Sequence, residues 1–503
     1  MMKDKKTVKK TEGPSRRNFI KTGALGLAGF TIVPRHVLGR GFLAPSDTLY
    51  IAAVGAGGQA NTDIGAFDKT GKAKISFLCD VDYQRASANI AKFPNAKKYT
   101  DWREMFDKES KNFDAVSVTT PDHTHAVVGS AAMALGKHIW IQKPLAHDVF
   151  EVRHLTDMAK KYKVVSQMGN QGSSNDSVRS MREWYDAGLI GDVHTVYCWT
   201  NRPVWPQGIA WPTKSGTPPA SLNWDLWQGT APAKPFPIGF DEGGIKLVPF
   251  NWRGWWDYGT GALGDMGAHI IEAPMRVLDL GYVSAVEASV GSTYVDEFKE
   301  GIFPDSCPRA SYAIMTFPKT SKTQGPVKVH WMDGGIMPER PEELEPNEAF
   351  GNSDGGMLFI GTKGKMLGNC YGTASRLLPT SRMNDINVAE TLPRVTDSIQ
   401  GHWAQWVEAS IAGYGKMETS SPFEKAGLLS EALAMANLAI RGYNLPKQVQ
   451  GPANADGTPG RVRTTYPGRT KILWDAKAMQ VTNVPELNQF VKREYRAPWS
   501  LSS

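Results

Sequence analysis

The sequence has few of the features that mark several classes of protein. Its four cysteines show no C-x-x-C spacing, and so give no indication of a zinc site or a redox pair. No run of about 18 apolar residues follows residue 40, which argues against a body that spans a membrane. Beyond residue 40 the charges nearly balance, with 47 basic and 48 acidic residues. This nearly neutral part of the chain does not favour binding to the phosphate backbone of a nucleic acid, so we expect no nucleic-acid partner.

The composition is that of an ordinary globular protein. The 503 residues are 41% hydrophobic and 21% charged, and a chain of this length predicts two or three domains. The net charge of +7 arises in the first 40 residues, which hold ten Lys and Arg against two Asp and Glu. The basic character therefore belongs to a terminal segment and not to the body.

Residues 1–40 resemble an export signal. The pair Arg16-Arg17 precedes a short apolar stretch at 23–33, a pattern typical of the twin-arginine route. We therefore predict a periplasmic protein. No clear A-x-A cleavage site follows, so the segment is either removed or kept as a membrane anchor.

Residues 47–168 predict a dinucleotide-binding domain. A short apolar strand at 48–54 runs into the motif G-x-G-x-x-A at 55–60, in which glycines permit a tight turn and a close approach of the backbone to a pyrophosphate. A second strand ends at Asp80, whose carboxylate suits a ribose hydroxyl and repels a 2′-phosphate, so NAD is favoured over NADP. The expected cofactor residues here are Gly55, Ala56, Gly57, Gly58, Gln59 and Asp80.

Short apolar strands and amphipathic helices continue to alternate as far as residue 168. This rhythm predicts an α/β domain with a parallel, doubly wound Rossmann sheet. The last of these strands ends at Gln142-Lys143-Pro144.

Several motifs, taken together, resemble the glucose-fructose oxidoreductase, inositol dehydrogenase and MocA family. They are Gly55–Ala60, Cys79–Asp82, Thr120–His125, Gly136–His138, Lys143-Pro144 and Gly264–Glu272. The resemblance implies a second domain at 169–503, of α+β type, with a large, open and mostly antiparallel sheet whose outer face builds a dimer or tetramer. It also implies a cofactor site lined by Thr120, Pro121, His123, His125, Gln142 and Lys143.

The family pattern also places Lys143, Asp265 and His269 together beside the nicotinamide. This chain has Gln142 where the family has Glu, which removes a carboxylate next to Lys143 and puts in doubt the ion pair that would hold its ammonium. It has Glu272 where the family usually has Asp. The pair His123 and His125 lacks a third ligand at useful spacing, so no metal site is predicted.

Asp265 and His269 are four residues apart on a helix predicted to begin near Gly264, which puts them on one face. An Asp beside a His fixes the imidazole tautomer and raises its basicity. Oxidising a carbinol requires removal of the hydroxyl proton, and a histidine suits that task. We therefore predict Lys143, Asp265 and His269 as catalytic residues.

Tryptophan is concentrated before this helix, with nine of the 16 lying between Trp184 and Trp256. Indole faces pack against the C–H faces of sugar rings, so the cluster indicates a carbohydrate substrate, although each Trp taken singly is more often a core residue. The expected substrate residues are Gln171, Arg202, Trp205, Arg253, Asp257 and His269.

Three functions remain open at this point. The leading hypothesis is an NAD-dependent oxidoreductase acting on a ring hydroxyl or ketone of a sugar or glycoside, with a tightly held and recycled cofactor, because the periplasm offers no dependable NAD pool. An alternative is a glycosidase in which the same NAD oxidises the sugar transiently. A third is a non-catalytic sugar-binding protein.

Overall fold

The computed structural model describes residues 47–239 and 246–502. The predicted export signal at 1–40 lies outside the described residues and stays a prediction. In the described part of the chain, no helix is both long enough and apolar enough to cross a bilayer.

The first sheet has six parallel strands with helices between them. Its elements are β1 (Leu49–Val54), α1 (Ala60–Lys69), β2 (Ala73–Cys79), α2 (Ser87–Lys92), β3 (Lys97–Tyr99), α3 (Trp102–Glu109), β4 (Ala115–Val118), α4 (His125–Ala134), β5 (His138–Ile141), α5 (Val149–Lys161) and β6 (Ser166–Met168). The strand order is β3-β2-β1-β4-β5-β6. The predicted Rossmann sheet is confirmed.

The strands of this sheet read as near-continuous apolar runs because helices cover both faces. All four residues of β4 are buried, and in β1 only Tyr50 is partly exposed. The chain reverses its winding direction between β1 and β4. Ligands of such sheets bind at this switch point, beyond the carboxyl ends of the strands.

The second part of the chain builds a larger sheet and its covering helices. Its elements are α6 (Asp176–Asp186), β7 (Val193–Thr200), α7 (Trp224–Gln228), α8 (Gly261–Ile270), α9 (Glu272–Val277), β8 (Ala285–Val290), β9 (Tyr294–Asp296), β10 (Lys299–Glu300), β11 (Ser311–Phe317), β12 (Val327–Met332), β13 (Gly355–Gly361), β14 (Gly364–Asn369), β15 (Arg376–Leu378), α10 (His402–Ala412), α11 (Phe423–Gly442), β16 (Lys447–Gln450), β17 (Val462–Thr465), β18 (Ile472–Asp475) and β19 (Gln480–Val481).

Nine of these strands form one open sheet in the order β15-β14-β13-β7-β12-β11-β8-β18-β19. Within it, β7 and β12 run parallel and the other neighbours run antiparallel. The expected large, mostly antiparallel sheet is confirmed. β11 alternates buried and half-buried residues, the pattern of a strand with one face on a core.

Helix α11 fixes the position of α8, the helix that carries Asp265 and His269. α11 is buried along most of its length and packs against α5, α8 and β8. The two helices approach closely at Gly267, where an added Cβ would lie 2.6 Å from Cδ2 of Leu433. Interior packing tolerates little displacement, so α8 is held rigidly.

Candidate active site

A cavity of about 530 Å³ opens at the switch point of the first sheet. The carboxyl ends of β1, β2, β4 and β5 supply one side, and residues of the second part of the chain supply the other. Of the predicted site residues it is lined by Gly55, Gly57, Gly58, Gln59, Asp80, Thr120, Pro121, Gln142, Lys143, Gln171, Arg202, Trp205, Arg253, Asp265 and His269.

The glycine turn leaves room for backbone and for nothing larger. Gly55 has φ +81°, and a Cβ there would lie 2.4 Å from the carbonyl oxygen of Thr119. Among the described residues, the backbone N–H groups of Gly58 and Gln59 donate to no protein acceptor, and α1 begins directly after them without a side-chain cap. Free N–H groups at a helix N-terminus suit a diphosphate, so the turn fits a dinucleotide.

Asp80 is held at the end of β2 by two backbone amides. Its Oδ2 accepts from the N–H of Ala56 at 2.7 Å and its Oδ1 from the N–H of Asp82 at 2.9 Å. Burial raises the pKa of the carboxyl, and the two amide hydrogen bonds act in the opposite direction. Each oxygen keeps a further lone pair for a ribose hydroxyl. Arg85, which the sequence did not single out, lies beside Gly58 and lines the same cavity.

We expect Asp80→Ala to change nucleotide preference. Loss of a hydrogen bond to a charged acceptor should lower the affinity for NAD about 10-fold. The affinity for NADP should rise, because the 2′-phosphate is no longer repelled by Asp80 and lies close to Arg85. Fluorescence titration with NADH and NADPH measures both constants. An unchanged ratio of the two would show that Asp80 does not read the ribose.

Lys143 and Asp265 form an ion pair inside the cavity. Nζ of Lys143 donates to Oδ1 of Asp265 at 2.7 Å and to its backbone oxygen at 2.8 Å, and Nε of Arg253 lies 3.4 Å from the same Oδ1. Burial alone would raise the pKa of Asp265, but Lys143 and Arg253 outweigh it and hold this pKa well below its usual range. The carboxylate is therefore ionised.

Lys143 keeps an ion pair in spite of Gln142, because Asp265 supplies the carboxylate. Gln142 points elsewhere: its Nε2 donates to both oxygens of Asp63, at 3.1 and 2.9 Å. Asp63 is fully buried and also accepts from Nε1 of Trp403. A glutamate at 142 would place a second carboxylate against Asp63, so an amide suits this position.

His269 has a different partner from the one expected. Its Nδ1 faces Oδ1 of Asn170 at 3.2 Å, whereas Asp265 is engaged by Lys143. An amide oxygen only accepts, so Nδ1 carries the proton and Nε2 the lone pair. Burial, and to a smaller extent repulsion from Lys143, holds the pKa of His269 well below its usual value. The imidazole is therefore a neutral base on the wall of the cavity.

Two of the histidines expected at the cofactor do not line the cavity. Both ring nitrogens of His123 lie on backbone carbonyls, those of Tyr258 and Trp227, and burial lowers its pKa to about 3. His125 bridges the carbonyls of Thr120 and Pro144, each at 2.9 Å. These side chains brace the turns that carry the site, and the expected contact with cofactor is corrected to a supporting position.

Asp257 also lies outside the cavity lining, and its carboxylate pairs with Nζ of Lys234 at 2.6 Å. Most of the nine Trp residues are buried, and those that line the cavity are Trp205, Trp227 and Trp252. Arg202, which pairs with Asp354 at 3.1 Å, and Trp205 give the cavity one polar and one flat apolar wall.

Tyr371 is a cavity residue that the sequence did not reveal. It follows β14 with φ +64°, a conformation that is rare for an aromatic residue and is often found at functional sites. Its ring centroid lies 4.5 Å from that of His269. Asn175 holds the strained backbone by donating to the Tyr371 carbonyl at 2.9 Å. No local pattern marks a residue placed by this long-range contact.

Comparison with known proteins agrees with this geometry. Residues 49–170 match the model of an oxidoreductase family with an NAD-binding Rossmann fold, and residues 177–297 match that family's C-terminal alpha/beta domain. A levoglucosan dehydrogenase of Pseudarthrobacter phenanthrenivorans is 24% identical over 44% of this chain and 46% of its own length. A glycosyl hydrolase family 109 protein of Shewanella pealeana is 25% identical over 36% and 44%. The chain thus aligns with less than half of each of these curated relatives.

Among solved structures, a levoglucosan dehydrogenase in complex with NADH and L-sorbose superimposes with a TM-score of 0.52, over 78% of this chain and 98% of that one, at 16% identity. At this identity the likeness shows a shared fold. With its two family domains in order, this chain belongs to the glucose-fructose oxidoreductase, inositol dehydrogenase and MocA family of oxidoreductases, and its Rossmann domain is NAD-binding.

Proposed function

We propose that the protein is an NAD-dependent oxidoreductase that acts on a ring hydroxyl or ketone of a sugar or glycoside. One observation carries the proposal. The cavity that holds the glycine turn of an NAD-binding domain is also lined by Lys143, Asp265 and His269. These residues supply an ammonium paired with a carboxylate and a neutral imidazole base. The levoglucosan dehydrogenase relative supports a carbohydrate as the substrate.

When bound, NAD supplies the acceptor for the hydride that leaves the carbinol carbon. The side chains of the chain itself handle the proton. Nε2 of His269 accepts the proton of the hydroxyl, and the ammonium of Lys143 donates a hydrogen bond to the same oxygen as its charge develops. Asp265 holds Lys143 in place through the 2.7 Å ion pair, and Asn170 fixes the tautomer of His269.

Binding of the sugar falls to the walls around this pair. Trp205 and Trp252 offer flat apolar faces, while Gln171, Arg202 and Arg253 offer donors to hydroxyl groups. The test is a single turnover: the NAD-loaded protein is mixed with sugars, glycosides and cyclic polyols, and absorbance of bound NADH is followed. Absence of reduction by every member of the panel would leave only the sugar-binding hypothesis.

We also propose that the protein acts in the periplasm with a cofactor that is recycled without leaving the site. The Arg16-Arg17 pattern supports export, and an exported enzyme cannot rely on a cytoplasmic pool of NAD. Protein purified from the periplasm without added nucleotide should then release NAD on denaturation. A protein that stays in the cytoplasm would contradict this location.

A homo-oligomer is proposed on the strength of three exposed apolar side chains that lie on one hairpin. Strands β9 and β10 form it, and it exposes 67% of Tyr294, 52% of Val295 and 97% of Phe298. Apolar patches of this kind mark protein contacts. Phe298→Asp should shift the protein toward the monomer in sedimentation velocity. A wild-type protein that sediments as a monomer at micromolar concentration would contradict the proposal.

A further inference from the structure

The segment 493–502 returns from the second part of the chain to the first domain and is fixed there at its start. Nε and Nη2 of Arg493 donate to Oε1 of Glu151 at 2.8 and 2.7 Å, and the hydroxyl of Tyr495 donates to the same oxygen at 2.6 Å. The side chain of Glu151 is only 1% exposed. Arg496 adds a hydrogen bond to the carbonyl of Gly229 at 2.8 Å. Charged hydrogen bonds of this kind, largely removed from water, give the segment a defined position.

This anchoring places the indole of Trp499 against helix α3. The ring centroids of Trp499 and Trp102 are 6.3 Å apart, and the guanidinium carbon of Arg103 lies 4.4 Å from the Trp499 centroid. Trp499 is only 9% exposed, yet both it and Trp102 line the cavity. A cation over one part of an indole fixes the orientation of the ring. Two aromatic side chains, more than 390 residues apart in sequence, thus share one wall.

The topology shows which end of the cavity this wall belongs to. Trp102 follows β3 closely, and β3 pairs with β2, at whose end the N–H of Asp80 donates to the carbonyl of Tyr99 at 3.1 Å. Lys143 follows β5, which lies on the other side of β1 and β4 in the sheet. The indoles are therefore on the side of Asp80, the residue predicted to bind the ribose, and the acid-base pair is on the opposite side.

We propose that Trp499, together with Trp102, forms the binding wall for the adenine ring of the cofactor. Indole faces stack on a purine ring whichever hydrogen-bonding groups the edge of that ring carries. Stacking of this kind helps a site to retain a dinucleotide. Because the segment is tied to the buried Glu151, adenine meets a wall that does not have to be ordered on binding. The assignment rests on the NAD-binding domain and is independent of the sugar substrate.

The test compares Trp499→Ala with Leu501→Ala. Leu501 lies in the same segment and packs on the core, but it does not line the cavity. NADH-loaded protein is mixed with excess ADP-ribose in a stopped-flow instrument, and the loss of bound-NADH fluorescence gives the dissociation rate. We expect Trp499→Ala to release NADH about 10- to 100-fold faster than wild type, the range that follows from loss of base stacking. Leu501→Ala should release it at the wild-type rate.

Two probes separate adenine from the rest of the cofactor. In titrations, Trp499→Ala should lower the affinity for ADP-ribose by a similar factor. It should leave the affinity for reduced nicotinamide mononucleotide, which has no adenine, unchanged. The proposal would be overturned by an equal loss of affinity for both probes, by an unchanged affinity for ADP-ribose, or by an equally fast release of NADH from Leu501→Ala. Should Trp499→Ala fail to fold, Trp102→Ala tests the other half of the wall and Trp499→Phe should keep most of the affinity. Reduction of bound NAD by sugars is measured separately, so failure of the proposed function would not be confused with failure here.

Discussion

His269→Ala should lower kcat by about 10²- to 10⁴-fold while cofactor stays bound, because it removes the group that takes the hydroxyl proton. The structure favours a large effect, since His269 is neutral and its Nε2 has no protein partner among the described residues. The measurement is steady-state turnover with the best substrate of the panel, together with the content of bound NAD.

A second histidine provides the matched control. His330 lies on β12, where its Nδ1 contacts the hydroxyl of Tyr312 at 2.6 Å, and it does not line the cavity. His330→Ala should leave kcat within about twofold of wild type, since substitutions remote from the site change stability more than chemistry. Turnover of His269→Ala within tenfold of wild type would remove this residue from the proposed mechanism.

Lys143→Met should reduce kcat by a similar factor, and it should also destabilise the protein. The substitution removes the donor to the reacting oxygen, and it leaves the carboxylate of Asp265 with only the longer contact to Arg253. A poorly paired charge at this largely buried position should lower the free energy of unfolding by about 1–3 kcal/mol. Urea denaturation measures the stability, and turnover measures the catalytic part.

The double variant Lys143→Met/Asp265→Asn separates the two effects. Replacing the carboxylate by an amide removes the unpaired charge, so stability should recover toward wild type while turnover stays low. A structural role for Lys143 predicts instead that activity returns together with stability. Recovery of turnover in the double variant would therefore contradict a part for Lys143 in proton handling.

The parts of the fold and site that follow from short stretches of sequence could be predicted. The glycine turn and Asp80 are each fixed by a strand and the residue that follows it, and the structure places both on the cavity. The Rossmann strands are readable because burial on both faces leaves uninterrupted apolar runs. Asp265 and His269 likewise share α8, a helix predicted from local spacing.

What could not be predicted depends on contacts between distant residues. Nothing near Gln142 shows that Asp63 faces it, and nothing near His269 shows that Asn170, rather than Asp265, holds its Nδ1. The carboxylate of Asp257 suits a sugar hydroxyl, but in the structure it forms an ion pair with Lys234. Tyr371 reaches the site from the far sheet, so its role becomes visible only in three dimensions.

The most direct test of the central claim follows the fate of a glycoside on the NAD-loaded protein. α- and β-glycosides with readable aglycones are incubated with and without a keto-sugar acceptor, in heavy water, and products are identified by mass spectrometry. We predict a keto-glycoside with its aglycone still attached, formed beyond one equivalent of enzyme only when an acceptor reoxidises the cofactor. Release of the aglycone without an acceptor, with solvent deuterium at the carbon next to the transient ketone, would contradict the dehydrogenase account and establish the glycosidase cycle instead.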